Sequence, residues 1–524
     1  MVEEPAELIV AGAKIHAVDD SNVAPKAFAV RDGRFVFAGS VEGAMSLRGL
    51  ATRLLDASGS TILPGLIDSH IHLTNMGLRL EQAGLENAES FEEVVSRTVA
   101  FARSANDEWI VGRGWDQSRW PGKSLPSHDA LSTAFPDRPV ALTRIDGHAL
   151  VANARAMALA GLESTMADPP GGRIVRDASG APSGVFVDAA MLLVTRRIPK
   201  PTREQLMRAT RAAVAECNRW GITAVAEPGC DDDVLAAHVA LIERGEYSIR
   251  NYAMLDDDAG VLDRHFARGP LDAAYDARLW TRAVKMYADG ALGSRGAALL
   301  EPYADDPANR GLVVTPPEHL AAVTNRALRC GFQPCIHAIG DRANRFVLDI
   351  FEAALAGSHA EVRPRIEHAQ VVSLPDIPRF AALGVIASMQ TTHALSDMRW
   401  ARERLGNDRI AGAYAWRALL DAGATVVNGT DAPVEAVSSV RSFYAAVAGP
   451  VPAMTRREAL AAMTIEAARA NFQERHIGSI SPGKYADFVM MDRDWMTAQP
   501  EGILETKILA TYSSGREVYR ATPN

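Results

Sequence analysis

The sequence predicts an α/β fold: a (β/α)8 TIM-like barrel, with β-structure added at both chain ends and a segment inserted after the first barrel strand. Three observations predict it. Between Gly221 and Asp431, seven short strand-like runs (222–226, 248–255, 283–287, 332–336, 365–368, 384–389 and 425–429) alternate with stretches of helical periodicity such as 318–330, 341–356, 375–383 and 411–422. That alternation is the pattern of a parallel sheet made of βα units. An eighth run, 62–70, precedes them, and eight βα units close a barrel. Polar residues of metal-binding type end several of the runs, and a barrel gathers its chemistry at the mouth where its strands end.

Taken in order, residues 1–63 hold Leu8-Ile-Val10, Lys14-Ile-His-Ala-Val18, Ala27-Phe-Ala-Val30 and Phe35-Val-Phe37, strand-like pieces divided by turn residues. The first barrel run leads into His70-Ile-His72. Residues i and i+2 of a strand share a face, so both imidazoles reach one cation if the strand continues through them. From about 74 to 200 comes a helical segment, 91–105, then glycine- and proline-punctuated strand pieces at 171–176 and 184–188; it reads as a cap inserted over the mouth. The acidic triplets Asp231 to Asp233 and Asp256 to Asp258 stand between strand and helix runs, where negative charge suits a helix N-terminus, and are not read as metal sites. Lys285, His337, His368 and Asp431 close the fourth, fifth, sixth and eighth runs. Residues 487–492 and 508–519 end the chain in strand-like character again.

A histidine pair alone is a weak signal. Histidines, a lysine and an aspartate from five strands of one barrel form a more specific joint pattern. Imidazole nitrogen and carboxylate oxygen suit zinc and other borderline divalent ions, and no cysteine cluster points to a thiolate site. Burial lowers a lysine pKa and leaves an amine able to take up carbon dioxide as a carbamate. Taken singly, Lys285 also reads as a lysine snorkelling from the rim, His337 and His368 as core histidines, and Asp431 as a helix N-cap.

The chain resembles the amidohydrolase superfamily, specifically the YtcJ-like subgroup that includes N-substituted formamide deformylases. The likeness runs through Pro64-Gly-Leu-Ile-Asp-Ser-His-Ile-His72, Lys285-Met-Tyr-Ala-Asp-Gly-Ala-Leu-Gly-Ser-Arg-Gly296, His337-Ala-Ile-Gly-Asp341, Glu367-His-Ala369, Gly429-Thr-Asp-Ala-Pro-Val-Glu435 and Gly478-Ser-Ile-Ser-Pro-Gly-Lys-Tyr-Ala-Asp487. The resemblance implies that His70, His72 and Asp431 bind one divalent ion, zinc first among the candidates. It implies that His337 and His368 bind a second and that a carboxylated Lys285 bridges the two. It also implies that residues 1–63 and 476–524 join as one discontinuous β-sandwich domain beside a barrel spanning 64–475. Asp431 would serve as the catalytic proton carrier for a metal-bridging hydroxide.

Substrate contacts are expected from Trp115, Asp116 and His148 in the insertion, with Arg119 beside them, and from Gln390 and His393 after the seventh run. Loop clusters of that kind serve solvated packing as readily as binding. The subgroup more often has proline after that glutamine, where this chain has Thr391 and Thr392. At Ala448-Gly-Pro450 relatives usually carry threonine and arginine.

At 524 residues the chain far exceeds the ~250 of a bare barrel. A net charge of -9 without a basic stripe argues against nucleic acid. The chain also lacks a signal-like N-terminus and an apolar run long enough to span a membrane. Four cysteines without C-x-x-C spacing read as reduced residues of a cytoplasmic protein. A homodimer is the base expectation for a soluble enzyme. The leading function is hydrolysis of a non-peptide carbon–nitrogen bond in a small N-acyl, N-formyl or cyclic amide. A lactonase, esterase or phosphoesterase on the same binuclear site is the alternative, and a non-catalytic relative the third.

Overall fold

Eight parallel strands position everything that follows: β1 (Leu66–Asp68), β2 (Ile222–Cys230), β3 (Arg250–Asp256), β4 (Leu279–Tyr287), β5 (Gln333–Ala338), β6 (Arg365–His368), β7 (Ile386–Met389) and β8 (Val426–Asn428). The computed structural model describes residues 4–19, 24–105, 107–145, 147–169, 172–356 and 362–522; Gly171, the first residue of the 171–176 run, lies outside them. The strands pair in the order β8-β7-β6-β5-β4-β3-β2-β1. Backbone hydrogen bonds from Ser69 N to Asn428 O (3.1 Å) and from Asp431 N to His70 O (2.7 Å) cross the remaining seam and nearly close the barrel at its C-terminal end. Its interior is filled by Ile67, Ala224, Ala226, Tyr252, Met254, Ala283 and Cys335, all buried.

The expected first run, 62–70, is two strands. Thr61–Pro64 pairs antiparallel with Phe488–Met491, and β1 pairs with β2. Gly65 is the joint between them; a Cβ there would lie 2.1 Å from Thr223 Oγ1. β1 stops at Asp68, so the alternation argument for His70 and His72 fails: both lie beyond the strand. The physical reason is Asp68, whose carboxylate accepts from His70 N (3.2 Å), Thr430 N (3.0 Å) and Thr430 Oγ1 (2.7 Å) and so bends the chain toward β8.

The chain divides into two compact units, Met1–Met76 with Thr210–Asn524, and Gly77–Ala209. The first holds the barrel and two further sheets. One runs Arg34–Gly39, Ala27–Arg31, Ala6–Ala11, Arg48–Asp56; the other runs Lys14–Ile15, Thr61–Pro64, Phe488–Met491, Ile508–Ser513, Arg516–Arg520. They enclose Leu8, Val10, Phe28, Phe35, Ile62, Phe488 and Tyr512, with Phe488 stacked on Tyr512 at 4.3 Å. Arg250 of β3 ties the barrel to this layer through Asp487 (Nε–Oδ2 2.7 Å). It also donates to the carbonyls of Asp276 (3.3 Å) and Ala277 (2.8 Å), in a left-handed turn where Tyr275, Asp276 and Ala277 have φ of 53°, 55° and 54°. Breaking a buried ion pair of this kind costs about 3–5 kcal/mol.

The second unit has its own six-stranded sheet, ordered Gly172–Arg176, Pro182–Asp188, Ala149–Ala152, Val140–Arg144, Ile110–Trp115, Ala83–Gly84. Its helix Phe91–Ala102 is capped by Ser90, which accepts from Glu93 N, and its core gathers Val94, Ile110, Trp115, Trp120, Leu142 and Val185. The expected insertion, about 74 to 200, overlaps this unit, whose two ends fall within the helices Leu73–Leu80 and Arg203–Arg219. No helix among the described residues is long and apolar enough to cross a membrane.

Candidate metal centre

His70 and His72 follow β1, Lys285 and His337 lie near the ends of β4 and β5, His368 is the last residue of β6, and Asp431 follows β8 by three residues. These elements bring one ligand atom each of His70, His72 and Asp431 within 4.8 Å of one another. Asp431 Oδ1 is 3.3 Å from His72 Nε2 and 3.6 Å from His70 Nε2. The remaining three adjoin this group. Lys285 Nζ lies 3.5 Å from His70 Nε2, the His70 and His368 rings are 4.9 Å apart, and the His368 and His337 rings 4.5 Å. Gly429 permits the approach of β8, since a Cβ there would stand 2.4 Å from His70 N. His368 (φ 74°) and Asp431 (φ 57°) occupy the left-handed region, at roughly 1–3 kcal/mol each.

Outer side chains hold His70 and adjoin His337. His70 Nδ1 is 2.5 Å from Glu367 Oε2, and Glu367 pairs with Arg365 (Oε1–Nε 2.9 Å). Arg365 in turn donates to Ser69 O (2.8 Å), Ser388 Oγ (2.9 Å) and Asn471 Oδ1 (2.8 Å). Beside His337, Asp289 accepts from the amides of Ala298 (2.8 Å), Ile339 (2.9 Å) and Gly340 (2.8 Å). Sequence reasoning left Glu367, Arg365, Asp68 and Asp289 without roles. Three of them stood in the quoted motifs and Arg365 two residues before one, so closeness in sequence to His70, Lys285 and His368 was the available signal.

Burial, reinforced by the Lys285 charge, pushes the imidazole of His70 down to about 4 and that of His337 to about 3. Burial holds His368 well below the ordinary range and lowers Lys285 from that of a free amine. For Asp431 burial acts upward, but the hydrogen bond from His72 and the neighbouring His368, His70 and His393 together outweigh it and keep the carboxylate ionised. Unprotonated nitrogens beside a charged carboxylate are the protonation states that metal ligands need. With Nδ1 of His70 committed to Glu367, its Nε2 is left facing Asp431 and Lys285. The donor set therefore fits divalent cations.

The expected substrate contacts fare differently. His393 is close to the cluster, its Nε2 3.9 Å from Asp431 Oδ2, buried and without a hydrogen-bond partner. Gln390 is committed to orientation instead, because its Oε1 is 2.7 Å from His368 Nδ1 and its Nε2 donates to Ser388 O. Trp115 is fully buried in the core of the second unit and donates through Nε1 to Leu142 O (2.8 Å), so packing replaces the contact expected of it. Asp116 accepts from Ser118 N (3.1 Å) and pairs with Arg144 (2.9 Å), and His148 pairs with Asp188 (2.9 Å) on the surface of that unit. Arg119 ends the short 3-10 turn Gln117–Arg119.

The model of the amidohydrolase family matches residues 53–519. Protein LONG AFTER FAR-RED 3 of Arabidopsis thaliana is 34% identical over 98% of this chain and 92% of its own length. YtcJ of Bacillus subtilis is 30% identical, covering 97% and 98%. The N-substituted formamide deformylase of Arthrobacter pascens is 26% identical, covering 98% and 99%. Among solved structures, an uncharacterized metal-dependent hydrolase from Pyrococcus horikoshii superposes with a TM-score of 0.81 at 28% identity, over 94% of this chain and 99% of that one.

Proposed function

We propose that this chain, which belongs to the amidohydrolase family and is a metal-dependent hydrolase, cleaves a non-peptide carbon–nitrogen bond in a small N-acyl, N-formyl or cyclic amide. His70, His72 and Asp431 would hold one divalent ion, zinc first among the candidates, and His337 and His368 a second, with Lys285 carboxylated between them. Bound there, two such ions supply a hydroxide nucleophile near neutral pH and polarise the scissile carbonyl. The chain's own residues do the rest. Asp431 takes the proton of the attacking water on Oδ2 and passes it to the departing nitrogen, general base and then general acid. His393 Nε2, facing that oxygen, donates to the substrate. Glu367 and Gln390 keep His70 and His368 in the tautomers that leave their Nε2 lone pairs free.

The observation that carries the reading is the gathering of six side chains of metal-ligating type, in or just after five strands, at one barrel end. The formamide deformylase relative supports an amide over an ester. The test is metal analysis of protein grown with zinc or manganese and bicarbonate, then a panel of N-formyl and N-acyl amines beside lactones and aryl phosphates. Tightly held metal and turnover of the amides are expected. Less than one metal per chain, or a clear preference for esters, overturns the reading. Lys285→Ala should lose metal and turnover, with partial recovery from short carboxylic acids; full activity in that variant dismisses the bridging role.

A further inference from the structure

We infer that Glu227 is a positioning residue for His72, capping from β2 the helix that begins directly after it, so that the His72 imidazole is free to ligate metal. The inference rests on the metal-binding reading of His72. Nothing in the proposed chemistry uses Glu227, which is 3% exposed near the end of β2. Its strand neighbours Ala224 and Ala226 fill the barrel interior, so Glu227 points outward into the helix layer.

The helix Leu73–Leu80 begins with His72 O accepting from Met76 N (2.7 Å), which makes His72 its N-cap residue. An N-cap side chain ordinarily accepts from the amide two or three positions on. The His72 imidazole instead turns its Nε2 to Asp431, and the amide of Thr74 goes to another acceptor. Glu227 performs the task from the neighbouring strand, its Oε1 accepting from Thr74 N at 2.8 Å. Ala226 O accepts from Ile71 N (3.1 Å) and Ala432 O from His72 N (2.9 Å), so the backbone is gripped on both sides of the ligand. The far oxygen of Glu227 accepts from Asn251 Nδ2 (2.7 Å) and lies 3.5 Å from His238 Nε2. His238 Nε2 also meets Thr74 Oγ1 at 3.1 Å. These partners are buried and none is a lysine or arginine, so the first turn of the helix, with its positive dipole end, is a main stabiliser of the carboxylate.

Zinc affinity of the metal-stripped, full-length chain, read by competition with a chromophoric chelator, tests this alongside thermal unfolding of the stripped protein. Glu227→Ala should weaken zinc binding about tenfold or more, the scale at which outer partners of metal ligands act, while Glu227→Gln should stay within about twofold of the unaltered chain. Glutamine keeps the acceptor for Thr74 N, and the Asn251 amide can rotate to meet its NH2, since Asn251 Oδ1 is buried without a partner. A merely structural role lowers the unfolding temperature of Glu227→Ala and leaves zinc affinity unchanged, which overturns the inference. Should the alanine variant not fold, Glu227→Asp against Glu227→Gln decides: the shorter side chain draws the acceptor away from Thr74 N and should bind zinc more weakly, and equal affinities overturn the positioning role. Failure of the unaltered chain to bind zinc overturns the metal reading and this inference with it. Equal affinity in the unaltered and alanine forms overturns this inference alone.

Discussion

Replacing Glu367 by leucine separates what this residue does for the fold from what it does for the metal centre. The side chains of His70, Arg365 and Glu367 are all fully buried, so water screens none of their charges. Without the carboxylate, Arg365 keeps only neutral acceptors on Ser69, Ser388 and Asn471, and an unpaired buried cation costs about 3–5 kcal/mol. His70 loses the acceptor for Nδ1, and such losses weaken metal binding about 10–100-fold. Adding Arg365→Met removes the stranded cation, and replacing a whole buried pair by apolar residues is often neutral. The urea-unfolding midpoint of the metal-free double variant should therefore recover toward the unaltered value, while zinc affinity in chelator competition stays low because Nδ1 is still unpartnered. Recovery of zinc affinity together with stability would refute the reasoning, as would a single variant that binds zinc as the unaltered chain does.

Acidification is the second perturbation. Burial keeps His70, His337 and His368 unprotonated in the native chain to pH values well below the ordinary 6.5, so between pH 6.5 and about 4 only the unfolded state takes up these protons and stability falls as pH falls. Burial also raises Asp68 and Asp289 to about 7, so over much of the same range the native state binds protons that the unfolded state does not, which opposes the trend. Three imidazoles against two carboxyls leave a net loss: metal-free protein should unfold in less urea at pH 4.5 than at 6.5, with Asp68→Asn falling more steeply, and a flat profile counts against these protonation states. Trp115→Ala should cost about 3–5 kcal/mol with KM unchanged, and a raised KM at unaltered stability would return Trp115 to the substrate.

Much of the barrel was legible because parallel strands buried on both faces read as uninterrupted apolar runs. The runs at 222–226, 332–336 and 425–429 each mark an observed strand, whereas 365–368, Arg-Ile-Glu-His, was marked by its place in the alternation; His337, His368 and Asp431 lie at or just past strand ends. The boundary between 62–70 and its two actual strands was not legible, since Gly65 interrupts an apolar run without breaking its composition. Nor was Glu227 separable from an acid aimed at the mouth, because one residue of register decides whether it faces the barrel interior or the helices. Asp68 and Asp289 escaped for a related reason. Most of the donors they meet are backbone amides delivered by remote loops, and an amide leaves no mark in the sequence. Trp115 misled because an aromatic residue beside charged ones has the same local signature in a sheet core as in a pocket.

The joint at Gly65 gives the molecule an unusual mechanical dependence. Thr61–Pro64 is zipped to Phe488–Met491, which is zipped to Ile508–Ser513, and the next residues of the same chain are β1 and the first two histidines. Shortening or loosening the late hairpin would slacken the tether from which His70 and His72 hang, at a distance of several strands from any ligand. A fusion or deletion planned as a harmless edit to the periphery would thus be felt as a change in how tightly the reactive centre is strung.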